Sequence, residues 1–313
     1  MGMVMTWFHA SKKTPISLRG KLYPALLLLG MILAVAQAGE ARLLSDQTGR
    51  KVDVPENPRR VVSLAPTVTE IVFALGKGDL LKGVTEYSDY PPQAELLPRV
   101  GSYVRLDLEK IVALKPDLCI ADRNGNPENE VKELESFGIP VYVVDPRSLN
   151  TTIGAVLGIG QLLCVDRKAR HLANQMRAKI ERVKKRIAET NRRPRVFFQI
   201  GTSPLVSVGT HTLINGLIEA AGGQNVAAGP AAYPRFGMEQ VLELRPDVII
   251  VTSMTGHTDL RQVKAQWDRF RELPAVKNNR IFVVNADLFD RASPRLVEGL
   301  EILARLLHPE LFR

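Results

Sequence analysis

The chain has 313 residues, of which 45% are hydrophobic and 24% are charged, and this composition excludes a disordered or low-complexity protein. Its length exceeds what a single hydrophobic core usually holds, about 250–300 residues, so we expect two lobes. The formal net charge is +9, and much of the surplus lies in ERVKKRIAETNRRPR (181–195). This stretch has no interleaved aromatic residues and no nucleic-acid-binding motif, so we expect a solvated helix face and no nucleic-acid partner.

Residues 1–38 predict a secretory signal peptide. Four basic residues and no acid precede the apolar run LYPALLLLGMILAVA, and Ala36-Gln37-Ala38 follows it. This order is typical of a signal peptide that is cleaved after Ala38. An uncleaved membrane anchor is the alternative, although the apolar run is shorter than the roughly 20 residues of a membrane-spanning helix. Cleavage would lower the net charge from +9 to about +5.

Residues 39–150 predict an N-terminal α/β lobe. The segment SDQTGRKVDVP predicts a hairpin that turns at Thr48-Gly49. Strands and helices then alternate, starting with the strand VVSLA (61–65) and a helix that Gly76 ends. Apolar strands alternating with helices indicate a mostly parallel central sheet that is covered on both faces.

Residues 151–191 predict a linker helix, and residues 192–313 predict a second α/β lobe. The linker shows helical periodicity without a strand, and we expect a break near Gly158-Gly160. From Asp166 onward, a helix of about 24 residues would span ~36 Å, which is the size of a small domain. The C-terminal segment then repeats the alternation of the first lobe.

One phrase occurs twice, as LDLEKIVALKPD (106–117) and as FGMEQVLELRPD (236–247), 130 positions apart. Each copy predicts a short helix that ends before a proline and is followed by a strand. Glu109 and Glu239 fall in the first turns, where a carboxylate gains about 0.3–1 kcal/mol from the helix dipole. The repetition indicates a duplicated lobe.

Two further sets of residues bear on disulfide formation and on catalysis. Cys119 and Cys164 lie in apolar runs, and we expect two buried small side chains rather than a disulfide. The sequence contains no GxSxG, HExxH or P-loop motif, nor a GxGxxG after a strand. Three isolated carboxylates could suit an exported enzyme, but we expect them on the surface and expect no catalysis: Glu70, Glu86 and Asp89.

The segments PRRVVSLAPTVTEIVFALG, YSDYPP, LEKIVALKPDL, GIPVYVVD and DRASPR, in this order behind a signal peptide, resemble the extracytoplasmic substrate-binding proteins of ABC importers for vitamin B12, haem and iron–siderophores. The resemblance covers nearly all of the mature chain. It implies a periplasmic, class III binding-protein fold, with two similar α/β lobes joined by a long helix. It also implies a monomer that captures a corrinoid between its lobes, has no cofactor of its own, and delivers the ligand to a permease dimer with its ATPase.

The resemblance also implies the site residues. Tyr87, Tyr103 and Tyr233 lie on loops at the expected cleft, where an exposed ring can stack on a flat macrocycle. Lobe packing is the alternative role for Tyr87 and Tyr233. Three polar residues in NADLFDRASPR follow the last predicted strand and are expected to bind the amide groups of a corrin: Asp287, Arg291 and Ser293. An internal salt bridge between Asp287 and Arg291, four residues apart, is the structural alternative.

For the repeated phrase, the resemblance implies a docking role. Glu109 and Glu239 match the glutamates that, in this family, pair with arginines on the membrane subunits. A permease of two equivalent subunits presents two equivalent basic sites, so a receptor that docks across its axis needs two equivalent acidic ones.

The chain departs from the vitamin B12 members of the family at their tryptophan positions, where it has Tyr103, Asp122, Tyr233 and Leu288. Cobinamide, haem and ferric siderophores therefore remain alternative ligands. Haem would need an axial ligand, for which His211, His257 and Met254 are candidates beside the tyrosines. A siderophore would favour a basic cleft, for which Arg105, Arg123 and Arg235 are available. A dedicated metal site is not expected, because the four histidines after residue 38 form no spaced cluster.

Overall fold

The computed structural model describes residues 41–252 and 260–312, which belong to one compact unit. The predicted signal peptide lies outside these residues. The described chain begins with an antiparallel hairpin of β1 (Ala41–Ser45) and β2 (Lys51–Pro55). The Asp46 carboxylate accepts hydrogen bonds from the backbone amides of Thr48 and Arg50 at 2.9 and 3.0 Å. Gly49 has a φ of 86°, which glycine adopts readily. The predicted hairpin is confirmed.

The N-terminal lobe contains a four-stranded, fully parallel sheet. In chain order its elements are β3 (Val61–Ser63), α1 (Pro66–Ala74), β4 (Leu81–Val84), β5 (Gly101–Ser102), β6 (Arg105–Leu106), α2 (Leu108–Ala113), β7 (Leu118–Asp122), α3 (Glu128–Ser136) and β8 (Val141–Val144). The strand order in the sheet is β4-β3-β7-β8. A two-stranded antiparallel ribbon, β5-β6, precedes the second helix.

Helices cover both faces of this sheet, as the apolar strands predict. Along β7, Ile120 faces a cluster that includes Ile71 of α1, whereas Cys119 faces a cluster that includes Ile111 of α2 and Leu134 of α3. All five residues are buried. Successive side chains of a strand point to opposite faces, so a strand covered on both sides must be apolar throughout.

Two helices, α4 (Leu149–Leu162) and α5 (Asp166–Ile187), form the linker. At 1.5 Å per residue, the 22 residues of α5 extend over about 33 Å. The predicted break near Gly158-Gly160 is wrong, because both glycines lie inside α4 and the chain turns at residues 163–165. A Cβ atom on Gly160 would lie 2.1 Å from the Cβ of Ala169 in α5. This glycine therefore permits close packing of the two helices.

The C-terminal lobe repeats the strand arrangement of the first. In chain order its elements are β9 (Arg195–Gln199), β10 (Gly201–Thr202), β11 (Leu205–Val206), α6 (Leu213–Ala220), β12 (Gln224–Asn225), β13 (Arg235–Phe236), α7 (Met238–Leu244), β14 (Val248–Val251), α8 (Leu260–Asp268), α9 (Pro274–Lys277), β15 (Ile281–Val283), α10 (Asp287–Asp290) and α11 (Leu296–Leu307). The four-stranded parallel sheet has the order β12-β9-β14-β15, so that in both lobes the first strand of the parallel sheet lies between the second and the third.

One hydrophobic core runs through both lobes. It joins the inner faces of the two sheets, represented by Ile120 and Ile250, to the buried face of α5, represented by Met176 and Ile180. Separate clusters lie under the outer helices of each lobe. The lobes therefore share a continuous apolar contact besides their covalent linker.

The cysteine prediction is half right. Cys119 is buried in β7 and has no disulfide partner, as expected. Cys164 is also free, but it is exposed at the turn between α4 and α5, where it has a φ of 55°. Its apolar sequence neighbours had indicated burial, but the helix ends before the cysteine. Within residues 41–252 and 260–312, no helix is both long and apolar enough to cross a membrane.

Candidate functional site

A cleft of about 600 Å³ lies between the two lobes. From the N-terminal lobe, the start of α1, the loop after β4, the β5–β6 turn and the end of β7 line it; from the C-terminal lobe, the residues after β9, the start of α6 and the segment after β15 do so. The carboxyl ends of parallel strands meet at such a position, which is where open α/β sheets usually bind ligands.

The three tyrosines predicted from the sequence all line this cleft. Tyr87 and Tyr233 are 57% and 60% exposed, so much of each side chain is accessible from the cleft. The rings of Tyr87 and Tyr103 meet edge to face, with centroids 6.1 Å apart. Tyr103 rests against Gly125, where a Cβ would come within 2.6 Å of its ring.

Tyr103 and Tyr233 occupy equivalent positions of the two lobes. They are 130 positions apart, the offset of the repeated phrase, and each comes two residues before the short strand that leads into the repeated helix. Each lobe therefore offers an aromatic ring to the cleft from the same place in its fold. Both rings line the same cleft.

Asp287 and Arg291 supply charges on the C-terminal side of the cleft. The predicted internal salt bridge is present, at 3.0 Å between Arg291 Nη2 and Asp287 Oδ1. Arg291 also pairs with Asp89 of the other lobe, at 2.5 and 3.2 Å. Burial opposes ionisation of Asp89, but the Arg291 guanidinium holds the pKa of Asp89 below its usual value. Arg291 thus faces the cleft while it joins the lobes.

Ser293 is placed differently from the prediction. It is fully buried, does not line the cleft, and donates its hydroxyl proton to Glu70 Oε2 at 2.5 Å. Arg295 donates to both oxygens of the same carboxylate at 2.9 and 2.6 Å, and Arg291 adds a bond at 3.1 Å. Hence Ser293 belongs to a contact between the lobes, because its hydroxyl is already engaged inside the protein.

Glu70 is the residue that sequence reasoning placed wrongly. It lies in α1 and is 3% exposed, not on the surface as expected. Its three donors come 221 to 225 positions later in the chain, so no local pattern reveals them. A second hollow of about 560 Å³ borders Glu70 and is lined by Phe73, Tyr90 and Arg295 among others. None of the predicted ligand-binding residues lines it.

Two further acids, one on each lobe, line the cleft in addition to Asp89 and Asp287. Asp122 is 7% exposed, and burial raises its pKa to about 6, although hydrogen bonds from Asn124 oppose the rise. At Asp290, burial and the nearby Asp287 raise the pKa to about 7 against the effect of Arg291. Because Asp290 is nevertheless exposed, solvent screens the charges that act on it. The raised pKa is therefore better supported at Asp122 than at Asp290.

The residues considered for other ligands are mostly absent from the cleft wall. Arg291 is the one cationic side chain among the described residues that line the cleft, whereas Arg105, Arg123 and Arg235 lie elsewhere. His211 is exposed but does not line the cleft. Met254 and His257 lie outside the described residues. The predicted docking residues Glu109 and Glu239 are exposed in the first turns of α2 and α7.

Residues 61–288 match the family model described as periplasmic binding protein. The chain belongs to this family. The match spans both lobes and the linker, and the predicted fold class, two α/β lobes with mostly parallel sheets joined by a long helix, is confirmed. As a periplasmic binding protein, the chain is a member of a family of ligand-binding proteins rather than of an enzyme family.

Several known proteins are similar to this chain. The vitamin B12-binding protein of Vibrio parahaemolyticus serotype O3:K6 is 35% identical over 246 residues, which are 78% of this chain and 88% of the relative. The crystal structure of the periplasmic vitamin B12-binding protein BtuF of Vibrio cholerae matches with a TM-score of 0.69 and 31% identity, over 82% and 99% of the two chains. The periplasmic haem-binding protein RhuT of Roseiflexus sp. RS-1 matches with a TM-score of 0.72 and 27% identity, over 81% and 99%.

Proposed function

We propose that this chain is the extracytoplasmic binding protein of an ABC importer and captures a corrinoid, vitamin B12 or cobinamide, between its lobes. One observation carries the proposal: tyrosine rings of both lobes face a single cleft in a chain that is 35% identical to a vitamin B12-binding protein. A flat macrocycle fits between such rings, and burial of one aromatic side chain contributes about 1.5–3 kcal/mol.

Polar groups complete the proposed ligand site. The corrin carries amide groups around its edge, and Asp287 and Arg291 offer an acceptor and a donor at one side of the cleft. Arg291 is already held by Asp89 and Asp287, so its guanidinium is oriented before a ligand arrives. The cobalt belongs to the ligand, the chain has no cofactor of its own, and the ligand is released unchanged.

Delivery requires export and a membrane partner. The chain is exported to the periplasm, cleaved after Ala38, and acts there as a monomer. It then docks on a permease dimer with its ATPase through Glu109 and Glu239, one from each lobe. Both carboxylates are exposed, and neither forms an ion pair within the described part of the chain.

Haem is the second candidate ligand. A haem-binding relative of known structure is 27% identical, and a cleft tyrosine can serve as an axial ligand. Against haem, no histidine or methionine occurs among the described residues that line the cleft. A ferric siderophore is less favoured, since the described cleft wall contains a single cation.

The direct test is calorimetric titration of cyanocobalamin into protein purified from the periplasm. We expect saturation near one equivalent with micromolar affinity or better, about −8 kcal/mol. Tyr87→Ala should weaken binding by about tenfold to a hundredfold, because it removes one aromatic surface from the ligand. Phe137→Ala is the matched control, because Phe137 is similarly exposed, at 54%, but does not line the cleft.

Three outcomes separate the alternatives. No heat with cyanocobalamin or cobinamide, but saturable binding of haemin, would indicate that the ligand is haem. A chemically altered corrinoid recovered from the complex would indicate catalysis and contradict a purely binding role. Amino-terminal sequencing of the same preparation should begin at Gly39; a chain that keeps residues 1–38 would show that the segment remains as an anchor.

A further inference from the structure

The repeated segments contain residues that the fold itself requires. Asp117 accepts hydrogen bonds from the backbone amides of Arg59 and Arg60 at 2.7 and 3.0 Å, and its counterpart Asp247 accepts one from Arg195 at 2.9 Å. Each of these carboxylates thereby ties the start of its strand to the neighbouring strand. Both copies of the aspartate are explained by the same structural role.

Further repeated positions have equally plain structural roles. The guanidinium groups of Arg60 and Arg195 donate to the carbonyl oxygens of Leu114 and Leu244, at the ends of α2 and α7. The next residue in each copy takes a left-handed conformation, with φ values of 47° and 43°, and a proline follows: Lys115 and Arg245. The chain leaves the helix by the same path in both lobes.

At the start of the repeated helices, two pairs of repeated charges make no such contact. They are Glu109 with Glu239, and Arg105 with Arg235, again 130 positions apart. All four residues are exposed, and within residues 41–252 and 260–312 none of their side chains forms a hydrogen bond, an ion pair or an aromatic contact. Each arginine lies on the short strand, β6 or β13, that leads directly into the helix with the glutamate.

We propose that Arg105 and Arg235 form a second pair of docking contacts beside Glu109 and Glu239 on the permease. This inference rests on the proposed function, because it assumes delivery to a partner of two equivalent subunits. Each subunit would then offer an acidic side chain to the arginine as well as a basic one to the glutamate. Such a partner fits a surface that shows the same two charges once on each lobe.

Charges of both signs on each lobe can discriminate between partner surfaces, which glutamates alone cannot do. Two glutamates attract any basic surface, whereas an arginine four positions before each glutamate also repels a surface with the wrong charge order. Neither arginine lines the cleft, so a ligand-binding role does not account for them. Because the spacing is equal in both lobes, two equivalent permease subunits would each meet an arginine at the same place beside the glutamate.

The experiment measures three properties of each variant: cyanocobalamin binding by calorimetry, binding to the cognate permease–ATPase complex in lipid nanodiscs, and uptake of labelled cyanocobalamin by cells that contain that permease. The variants are Arg105→Glu, Arg235→Glu, the double variant of both, and Glu109→Ala with Glu239→Ala. The matched control is Arg167→Glu with Arg170→Glu, which makes the same change of charge at two exposed arginines of α5.

We expect the Arg105→Glu/Arg235→Glu protein to bind cyanocobalamin normally and the permease at least about tenfold more weakly, with a matching loss of uptake. Each single variant should lose about the same affinity as the other. The α5 control should resemble the wild type in all three measurements.

The other outcomes are distinct. Normal permease binding by the double arginine variant, together with weakened binding by the glutamate variant, would overturn the inference and leave the proposed docking intact. Normal binding by both would overturn the inference and the docking role together. If wild-type protein binds the permease but not cyanocobalamin, and the arginine variants lose permease binding, the inference stands and the proposed ligand fails.

Discussion

At the scale of single residues, the chemistry of the cleft depends on groups whose ionisation the fold has changed. Asp122 lies at the end of β7 in the cleft wall, and its carboxylate accepts a hydrogen bond from the Asn124 backbone amide at 2.9 Å. Burial nevertheless raises its pKa from 3.8 to about 6. A buried carboxyl with this pKa changes its charge within the range of pH that an exported protein can meet.

Asp122→Asn should therefore stabilise the protein more at neutral than at acidic pH. Well below pH 3.8, both the folded and the unfolded wild type hold the proton on Asp122. Between about pH 4 and pH 6 the unfolded chain releases it first, so the free energy of unfolding of the wild type falls as the pH rises. A rise of about two pKa units corresponds to at most about 3 kcal/mol, which the neutral variant should gain at pH 7.5 but not at pH 4.

Urea denaturation of both proteins across this range measures the effect. Asp46→Asn is a control for which the stability difference from the wild type should change with pH in the opposite direction. Burial opposes ionisation there, but hydrogen bonds from Thr48 and Arg50 hold the pKa of Asp46 below its usual value. The Asp46 variant should thus lose most stability, relative to the wild type, at neutral pH and recover on acidification. A stability difference at Asp122 that stays constant with pH would contradict the first prediction.

At the scale of secondary-structure elements, the linker depends on one close contact. α4 and α5 pack against each other, and the backbone of Gly160 lies against Ala169. Glycine weakens a helix by about 1 kcal/mol relative to alanine, so a helical glycine needs a compensating reason. Here the reason is space, because a Cβ atom would lie 2.1 Å from the Ala169 Cβ.

Two glycine substitutions should consequently have opposite signs. Gly160→Ala should destabilise the protein by about 1–3 kcal/mol, since overpacking outweighs the better helix propensity. Gly216→Ala, in α6, should stabilise it by about 0.4–1 kcal/mol, because no atom lies within 4 Å of the added Cβ. Denaturation midpoints of the two variants and the wild type test whether the two stability changes have opposite signs. A Gly160→Ala protein as stable as the wild type would contradict the packing argument.

Gly160 also shows which features of the secondary structure the sequence predicts and which it does not. Helical periodicity located the linker, and the hairpin and the repeated helices were placed within a few residues of their observed positions. Glycine, however, has two uses in a helix, as an interruption and as a point of close approach, and the sequence alone does not distinguish them. Cys164 illustrates the same limit, because its exposure depends on where α4 ends.

At the scale of the whole molecule, Glu70 joins the two lobes through hydrogen bonds and ion pairs. It lies on α1 of the N-terminal lobe, and its carboxylate is almost fully buried, yet all three donors come from residues 291–295 of the other lobe. Arg295 also lies over the ring of Tyr90, 3.6 Å from its centroid. The tyrosines of the cleft could be predicted from family-like motifs, whereas this contact could not, since its members are far apart in the chain and each resembles an ordinary surface residue.

Removal of Glu70 should affect the molecule far more than removal of an exposed glutamate. In Glu70→Ala, Arg291 and Arg295 keep much of their burial but lose the carboxylate that both share, and breaking a buried ion pair from one side costs about 3–5 kcal/mol. Glu95→Ala, at an exposed position, should change the free energy of unfolding by no more than about 0.5 kcal/mol. Hydrogen exchange should show where the Glu70→Ala protein loses stability. We expect faster exchange both at residues 66–74 and at residues 291–296, because each segment loses its partner in the other lobe. If exchange rose in one lobe alone, or if the two variants were equally stable, the Glu70 contact would not contribute to holding the lobes together.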